Sequence, residues 1–337
     1  MPLASLVQSI QMPVQPITRP KPVAILADRR VQYMSHSYVC RRVPRNHIAT
    51  LLCEDLEPQA GDLILVRVLK IGRFDFIESS DLSVTPICEG QELIVCYAPV
   101  QGNHDSIGVK DTSERRYQLL NPAGIASRSE SRAYLSNQAT ELEYVGILAN
   151  TRGQQINIGH WAIPVGTGNY VSQPVIAVIG ERNLPGEACR SADMIRGLSQ
   201  SGFTVGAANI TGVPGCWKVG LLRKSGAKLA VDITDAGFIG VTGLGTAALE
   251  QIFLSLSGYL ADSRVDIMVL EIEQGVFGHD TAGIVSLSCF QNRITSIVLE
   301  GRIGRETELE RDALRALGYN VTLVDIPASR KQYAALS

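Results

Sequence analysis

Residues 180–188 read Gly-Glu-Arg-Asn-Leu-Pro-Gly-Glu-Ala and follow the apolar run Pro-Val-Ile-Ala-Val-Ile of residues 174–179. A buried strand that ends in a glycine-bounded turn and feeds a helix lets backbone N–H groups wrap a phosphate. In the intact pattern a Lys after the second glycine neutralises the β and γ oxygens, and a Ser or Thr holds magnesium. Here Gly180 and Gly186 stand one residue too far apart. Glu187 occupies the place of the Lys, and Ala188 that of the hydroxyl. A carboxylate about 4 Å from a phosphate oxygen costs roughly 4 kcal/mol at an effective dielectric near 20. The missing Lys removes a comparable attraction, and a helix N-terminus offsets only about 0.3–1 kcal/mol. The expectation is a degenerate phosphate loop without ordinary ATP or GTP hydrolysis. No cofactor and no metal site are expected, and the loop is a poor site for ATP and magnesium. Arg182, inside the loop, and Lys218 are the cations that could stand in for the lost Lys. Taken alone, the glycine spacing also fits an ordinary strand-to-helix turn.

A second set of residues is acidic. Asp232, Asp235 and Glu271 are expected at the carboxyl ends of neighbouring strands, where open α/β sheets place their ligands. With Glu187 they form the candidate catalytic group, since paired carboxylates perform acid–base work when their surroundings separate their pKa values. A pocket of that charge suits a cation or an amine-bearing small molecule. The alternative is that these carboxylates are solvated or paired with arginine. Cys189 lies where a helix should begin, a position at which a thiol pKa can fall, but the sequence identifies no base beside it. His279, followed by Asp280, reads as a surface-loop histidine because no second His lies nearby.

Elements that could position these groups follow from the pattern of apolar residues. Beyond residues 174–180, apolar runs recur at 203–208, 265–271, 294–299 and 319–324, with room for a helix between successive runs. Residues 191–198, 249–256 and 308–317 carry helical spacing. Alternation of this kind predicts βαβ units around a parallel sheet over residues 171–337. Residues 23–100 contain short branched apolar runs behind Gly-Asp or Gly turns, at 63–68 and 92–97 among others, which predicts a smaller β-rich, barrel-like domain. Residues 101–170 read as a connector with one or two helices, and the proline-broken residues 1–22 as a tail. The expected fold class is α/β.

Composition narrows the function classes. With 31 basic and 33 acidic residues, the chain has no whole-molecule footprint for nucleic acid. No apolar run reaches the ~18 residues of a membrane span, and the N-terminal residues lack the form of a signal peptide. Seven cysteines, none in a CxxC pair, fit reduced thiols in a cytoplasmic compartment.

Together these residues resemble the DUF1611-type group of P-loop proteins, relatives of dethiobiotin synthetase and of the molybdopterin-guanine dinucleotide accessory NTPase. The matching segments are Ile210-Thr211-Gly212 with Trp217 following, Asp232-Ile233-Thr234-Asp235-Ala236-Gly237, and Glu271-Ile272-Glu273-Gln274-Gly275. Gln274 stands where the family has Asp. The resemblance implies a C-terminal P-loop NTPase-like domain and marks Thr211, Trp217 and Gln274 as ligand-binding positions, although packing against the sheet is the better reading of Trp217. It further implies a homodimer or a heteromeric protein partner, in a small-molecule biosynthetic setting. Ligation, kinase-like transfer and acyl transfer are the activities known among such proteins. The changed loop favours a pseudoenzyme that binds or stabilises. An enzyme acting on an amine without nucleotide, and an atypical ATP-dependent ligase, kinase or acyltransferase, are the alternatives.

Overall fold

The computed structural model describes residues 24–52, 56–99, 115–128, 139–166, 173–180 and 189–325. The N-terminal part contains β1 (Ala24–Ile25), α1 (Asp28–Tyr33), β2 (Ser35–His36), β3 (Thr50–Leu52), β4 (Leu63–Lys70), β5 (Phe76–Glu78), β6 (Val84–Pro86), β7 (Glu92–Tyr97), β8 (Arg116–Asn121), β9 (Ile125–Arg128) and β10 (Glu141–Ala149). Strands β10, β4, β7, β9 and β8 pair in that order, and β8 pairs back to β10, so the sheet closes into a barrel. β8, β9 and β10 arise from the stretch read as a loop-rich connector with a helix or two. Its strand signal is short and broken by polar residues, as Arg116-Tyr-Gln-Leu-Leu-Asn121 shows.

β4 and β7 are apolar on both faces, for a specific reason. Ile64, Val66, Leu93 and Val95 point into the barrel core. Leu63, Leu65, Ile94 and Cys96 point outward into a second core, which continues through Tyr38, Val39 and Cys40 to the C-terminal helices. One apolar cluster therefore spans both parts of the molecule.

The C-terminal part contains β11 (Val175–Gly180), α2 (Arg190–Gln200), β12 (Val205–Asn209), α3 (Cys216–Lys224), β13 (Ala227–Asp232), α4 (Thr246–Asp262), β14 (Ile267–Glu273), α5 (His279–Val285), α6 (Ser288–Arg293), β15 (Ser296–Gly301), α7 (Arg305–Ala316) and β16 (Val321–Asp325). The six strands are parallel, in the order β13-β12-β14-β11-β15-β16. Such strands are covered on both faces and read as continuous apolar runs. In β14, Met268, Leu270 and Ile272 face the core shared with α4 to α7. Val269 faces the core shared with α2 and α3. The two-residue period places Glu271 and Glu273 on that same α2/α3 side.

Topology then locates the crevice. From β11 the chain crosses to β12 on one side. From β14, the neighbour of β11, it crosses to β15 on the other. Right-handed crossovers in opposite directions put their helices on opposite faces, which opens the carboxyl end of the sheet between β14 and β11. No helix among the described residues is long and apolar enough to cross a membrane.

One buried group gives this fold a pH dependence. His36, at the pairing of β2 with β7, is 4% exposed, and its Nε2 has no hydrogen-bond partner. Burial, and then the charge of Arg45, lower its pKa to about 4. Between the ordinary imidazole value and pH 4 the unfolded chain binds the extra proton, so stability falls as pH drops through that window. The loss should reach about 3 kcal/mol near pH 4. Urea unfolding from pH 7 to pH 4 is expected to show this slope, and His36→Leu to flatten it.

Candidate functional site

The phosphate-loop positions Arg182, Gly186, Glu187 and Ala188 lie outside the described residues. The strand that precedes them and the groups around its end are described. Gly180 closes β11 in register with Glu273 of β14, and Val178 is in register with Glu271. A side chain at Gly180 would have its Cβ 3.1 Å from the Cβ of Glu300 and 3.2 Å from its Oε2. Asn209 of β12 is in register with Glu271 on one side and with Asp232 of β13 on the other.

These polar groups are all buried. Lys218 is 2% exposed, and Glu271 and Glu273 are each 4% exposed. The Lys218 ammonium, carried by α3, donates to Glu271 Oε1 at 2.7 Å and lies 3.7 Å from Glu273 Oε1. It also rests 4.8 Å from the centroid of the Trp217 ring. Burial alone would lower the Lys218 pKa. Glu271, Cys189 and Glu273 outweigh it, and the pKa is raised. The ammonium is therefore a fixed internal cation.

Cys189, at the N-terminal boundary of α2, has its Sγ 3.8 Å from Glu271 Oε1 and 4.0 Å from Lys218 Nζ. The sequence position suggested a lowered thiol pKa. The structure shows the reverse, because burial and then the Glu271 carboxylate push it up to about 12. A thiol in that state is not a nucleophile at neutral pH.

Asp232 and Asp235 do not join Glu271. They converge on Arg41, from the turn after the Tyr38–Cys40 3-10 helix of the N-terminal part. Arg41 Nη2 donates to Asp232 Oδ1 at 3.0 Å and also to Asp235 Oδ2, while Nη1 donates to Thr234 Oγ1. Tyr38 Oη donates to Asp232 Oδ2 at 2.7 Å. Burial would raise the Asp232 pKa, but Arg41 and the hydrogen bonds hold it below the ordinary carboxylate value. Asp235 is raised, burial outweighing Arg41. Of the two sequence readings for this pair, the structure shows pairing with arginine.

The remaining candidates divide. Thr211 is buried, and its Oγ1 accepts from the Glu273 backbone N–H at 2.6 Å, tying the loop after β12 to the end of β14. Gly212, next in the chain, has φ +95°, and a Cβ there would fall 2.4 Å from Glu273 Oε2. Both features favour glycine here. Gln274 is exposed, at φ +84° in the turn that leaves β14, away from the buried cluster. His279 is exposed, with a ring nitrogen 3.3 Å from the carboxylate of its neighbour Asp280.

The N-terminal part contributes two further groups that the sequence did not flag. Glu78 of β5 accepts from the Cys216 backbone N–H at the start of α3. Asn121 Nδ2 donates to the Pro214 carbonyl just before it, at 3.3 Å. A carboxylate is favourable at a helix N-terminus, and this one sets the helix that carries Lys218.

Comparisons with known proteins add little to this geometry. No family model matches the chain, and no curated protein matches it. Among solved structures, the signal recognition particle receptor FtsY from Elizabethkingia anophelis is similar over 45% of this chain and 49% of its own, at 12% identity and TM-score 0.32. The kinase domain of the Escherichia coli tyrosine kinase ETK is similar over 48% and 71%, at 12% identity and TM-score 0.33. FtsY from Thermotoga maritima is similar over 52% and 69%, at 16% identity and TM-score 0.29. This chain thus spans about half the length of the first of these. At overlaps of this size, the functional reading rests on the chain's own strand order and side chains.

Proposed function

We propose that this chain is a P-loop NTPase-like scaffold of the DUF1611 type that has given up nucleotide hydrolysis. It acts as a binding or stabilising subunit, as a homodimer or with a protein partner, in a small-molecule biosynthetic pathway. One observation carries the reading. Lys218, the described lysine at the carboxyl end of the sheet, is bonded to Glu271 and flanked by Glu273. Phosphate would need that cation available, and withdrawing it from a buried carboxylate is costly.

The fit of a magnesium nucleotide to the described residues is poor. Around the end of β11 they present Glu271, Glu273 and Glu300 with a lysine already engaged. The sequence adds Glu187 where the phosphate lysine belongs. Nucleotide-independent chemistry on an amine-bearing molecule is less well supported, because Asp232 and Asp235 are held by Arg41. Calorimetric titration with magnesium–ATP and magnesium–GTP tests the proposal. The expected outcome is no saturable heat and no rise in melting temperature. Micromolar binding of either nucleotide, with release of inorganic phosphate on incubation, would refute it.

A further inference from the structure

A cleft of about 290 Å³ opens on the N-terminal part, and it is lined by Asn46, His47, Asn150, Thr151, Arg152 and Gln154. One wall is the 3-10 turn Arg45–His47, and the other is the turn that follows β10. The volume is near the lower end of small-molecule sites.

The hydrogen-bonding state of the lining decides what it can hold. Asn150 Oδ1 accepts the backbone N–H groups of Arg152 and Gln154, at 2.9 and 3.1 Å. Asn150 Nδ2 donates to Gln154 Oε1 at 2.9 Å. The acceptor oxygens of both amides are thereby used within the turn, and Gln154 is left with its NH₂ to offer. Arg152 is exposed and, among the described residues, has no carboxylate partner. His47 is steadied edge-on against Trp161, with ring centroids 5.6 Å apart. No Asp or Glu lines the cleft. What remains to meet a ligand is a guanidinium, the N–H groups of the Asn150 and Gln154 amides, the whole amide of Asn46, a Thr hydroxyl and an imidazole.

We propose that this cleft binds a small oxyanion, the phosphate or carboxylate group of a small molecule, with Arg152 as its charge partner and Gln154 and Asn46 as amide donors. A guanidinium suits such groups because its planar fork bonds two oxygens at once. The proposal does not depend on the reading of the sheet end given above.

The test follows backbone amide NMR signals at constant ionic strength while adding inorganic phosphate, succinate or tetramethylammonium. Phosphate and succinate separate the two anion chemistries, and the cation is the control. Saturable shifts are expected at residues 46–47 and 150–154 with at least one anion. Arg152→Gln should weaken that binding by about tenfold, the effect of 1.4 kcal/mol. Arg196→Gln, at an exposed arginine on α2, should leave it unchanged. The proposal is overturned if neither anion shifts these signals, if tetramethylammonium shifts them equally, or if Arg152→Gln binds as tightly as the parent.

Discussion

Lys218→Met is expected to destabilise the protein by about 3–5 kcal/mol, the usual cost of removing one member of a buried ion pair. Lys218 is 2% exposed and Glu271 4% exposed, so water cannot replace the lost ammonium without opening the core between α3 and β14. The Met side chain keeps most of the packing, which confines the loss to electrostatics. Adding Glu271→Leu should then restore most of the stability, because two apolar side chains of similar volume often do as well as a buried ion pair, or better. Urea unfolding of the four proteins in the double-mutant cycle gives the coupling directly. A Lys218→Met cost below about 1 kcal/mol would mean that the pair is not a closed ion pair. Full recovery in the double variant would show that Lys218 and Glu271 are not kept for stability.

Much of the C-terminal architecture is legible in the residues, since parallel strands announce themselves as apolar runs. β11 begins within one residue of its sequence reading, and β12, β14, β15 and β16 begin two residues late because the apolar run includes the turn that feeds each strand. β13 escaped notice. Its residues Ala-Lys-Leu-Ala-Val-Asp include Lys228, and it lies at the sheet edge, where a charged residue is tolerated and blunts further pairing. Glu271 was found by its place at a strand end. Glu273 was within reach as well, two residues on and therefore on the same face. The partners were not legible. Arg41 is 191 residues from Asp232, and Glu78 is 138 residues from Cys216. No local pattern encodes a contact that exists only because the barrel packs across the loops after β12 and β13. The barrel's closure was hidden for a related reason. β8 and β9 are short, and the pairing of β8 with β10 is set by tertiary packing more than by propensity.

Arg41→Ala is expected to cost a similar ~3–5 kcal/mol and to turn the Asp232 contribution to the pH dependence from one lost in acid to one lost in base, as that of Asp235 already is. In the parent, one guanidinium serves two carboxylates and a hydroxyl, and Arg42 adds a weaker contact, 3.7 Å from Asp235 Oδ1. Asp232 and Asp235 are 2% and 4% exposed. Without Arg41, Asp232 keeps its hydrogen bonds from the Tyr38 and Thr234 hydroxyls but loses its cation, so burial and the neighbouring Asp235 carboxylate should make it take up a proton on folding as well. Its folded pKa then lies above the ordinary aspartate value. The resulting stability is present at low pH and lost as pH rises through that raised pKa. The difference in unfolding free energy between parent and variant should therefore shrink from pH 7.5 to pH 5.5, a comparison in which the His36 contribution cancels. Arg41→Lys should recover only part of the loss, because an ammonium cannot span Asp232, Asp235 and Thr234 as the planar fork does. The network also joins the two halves of the chain. Tyr38 and Arg41 come from the N-terminal part, and the apolar cluster beneath them runs on into α2 and α3. Parent protein should unfold in one transition by both Trp fluorescence and far-ultraviolet circular dichroism, since Trp161 and Trp217 lie in different parts. In Arg41→Ala carrying Trp217→Phe the two probes should separate, with the Trp161 fluorescence changing at a different urea concentration from the helical signal. Coincident transitions at an unchanged midpoint would show that the apolar cluster alone couples the halves and that the arginine is dispensable.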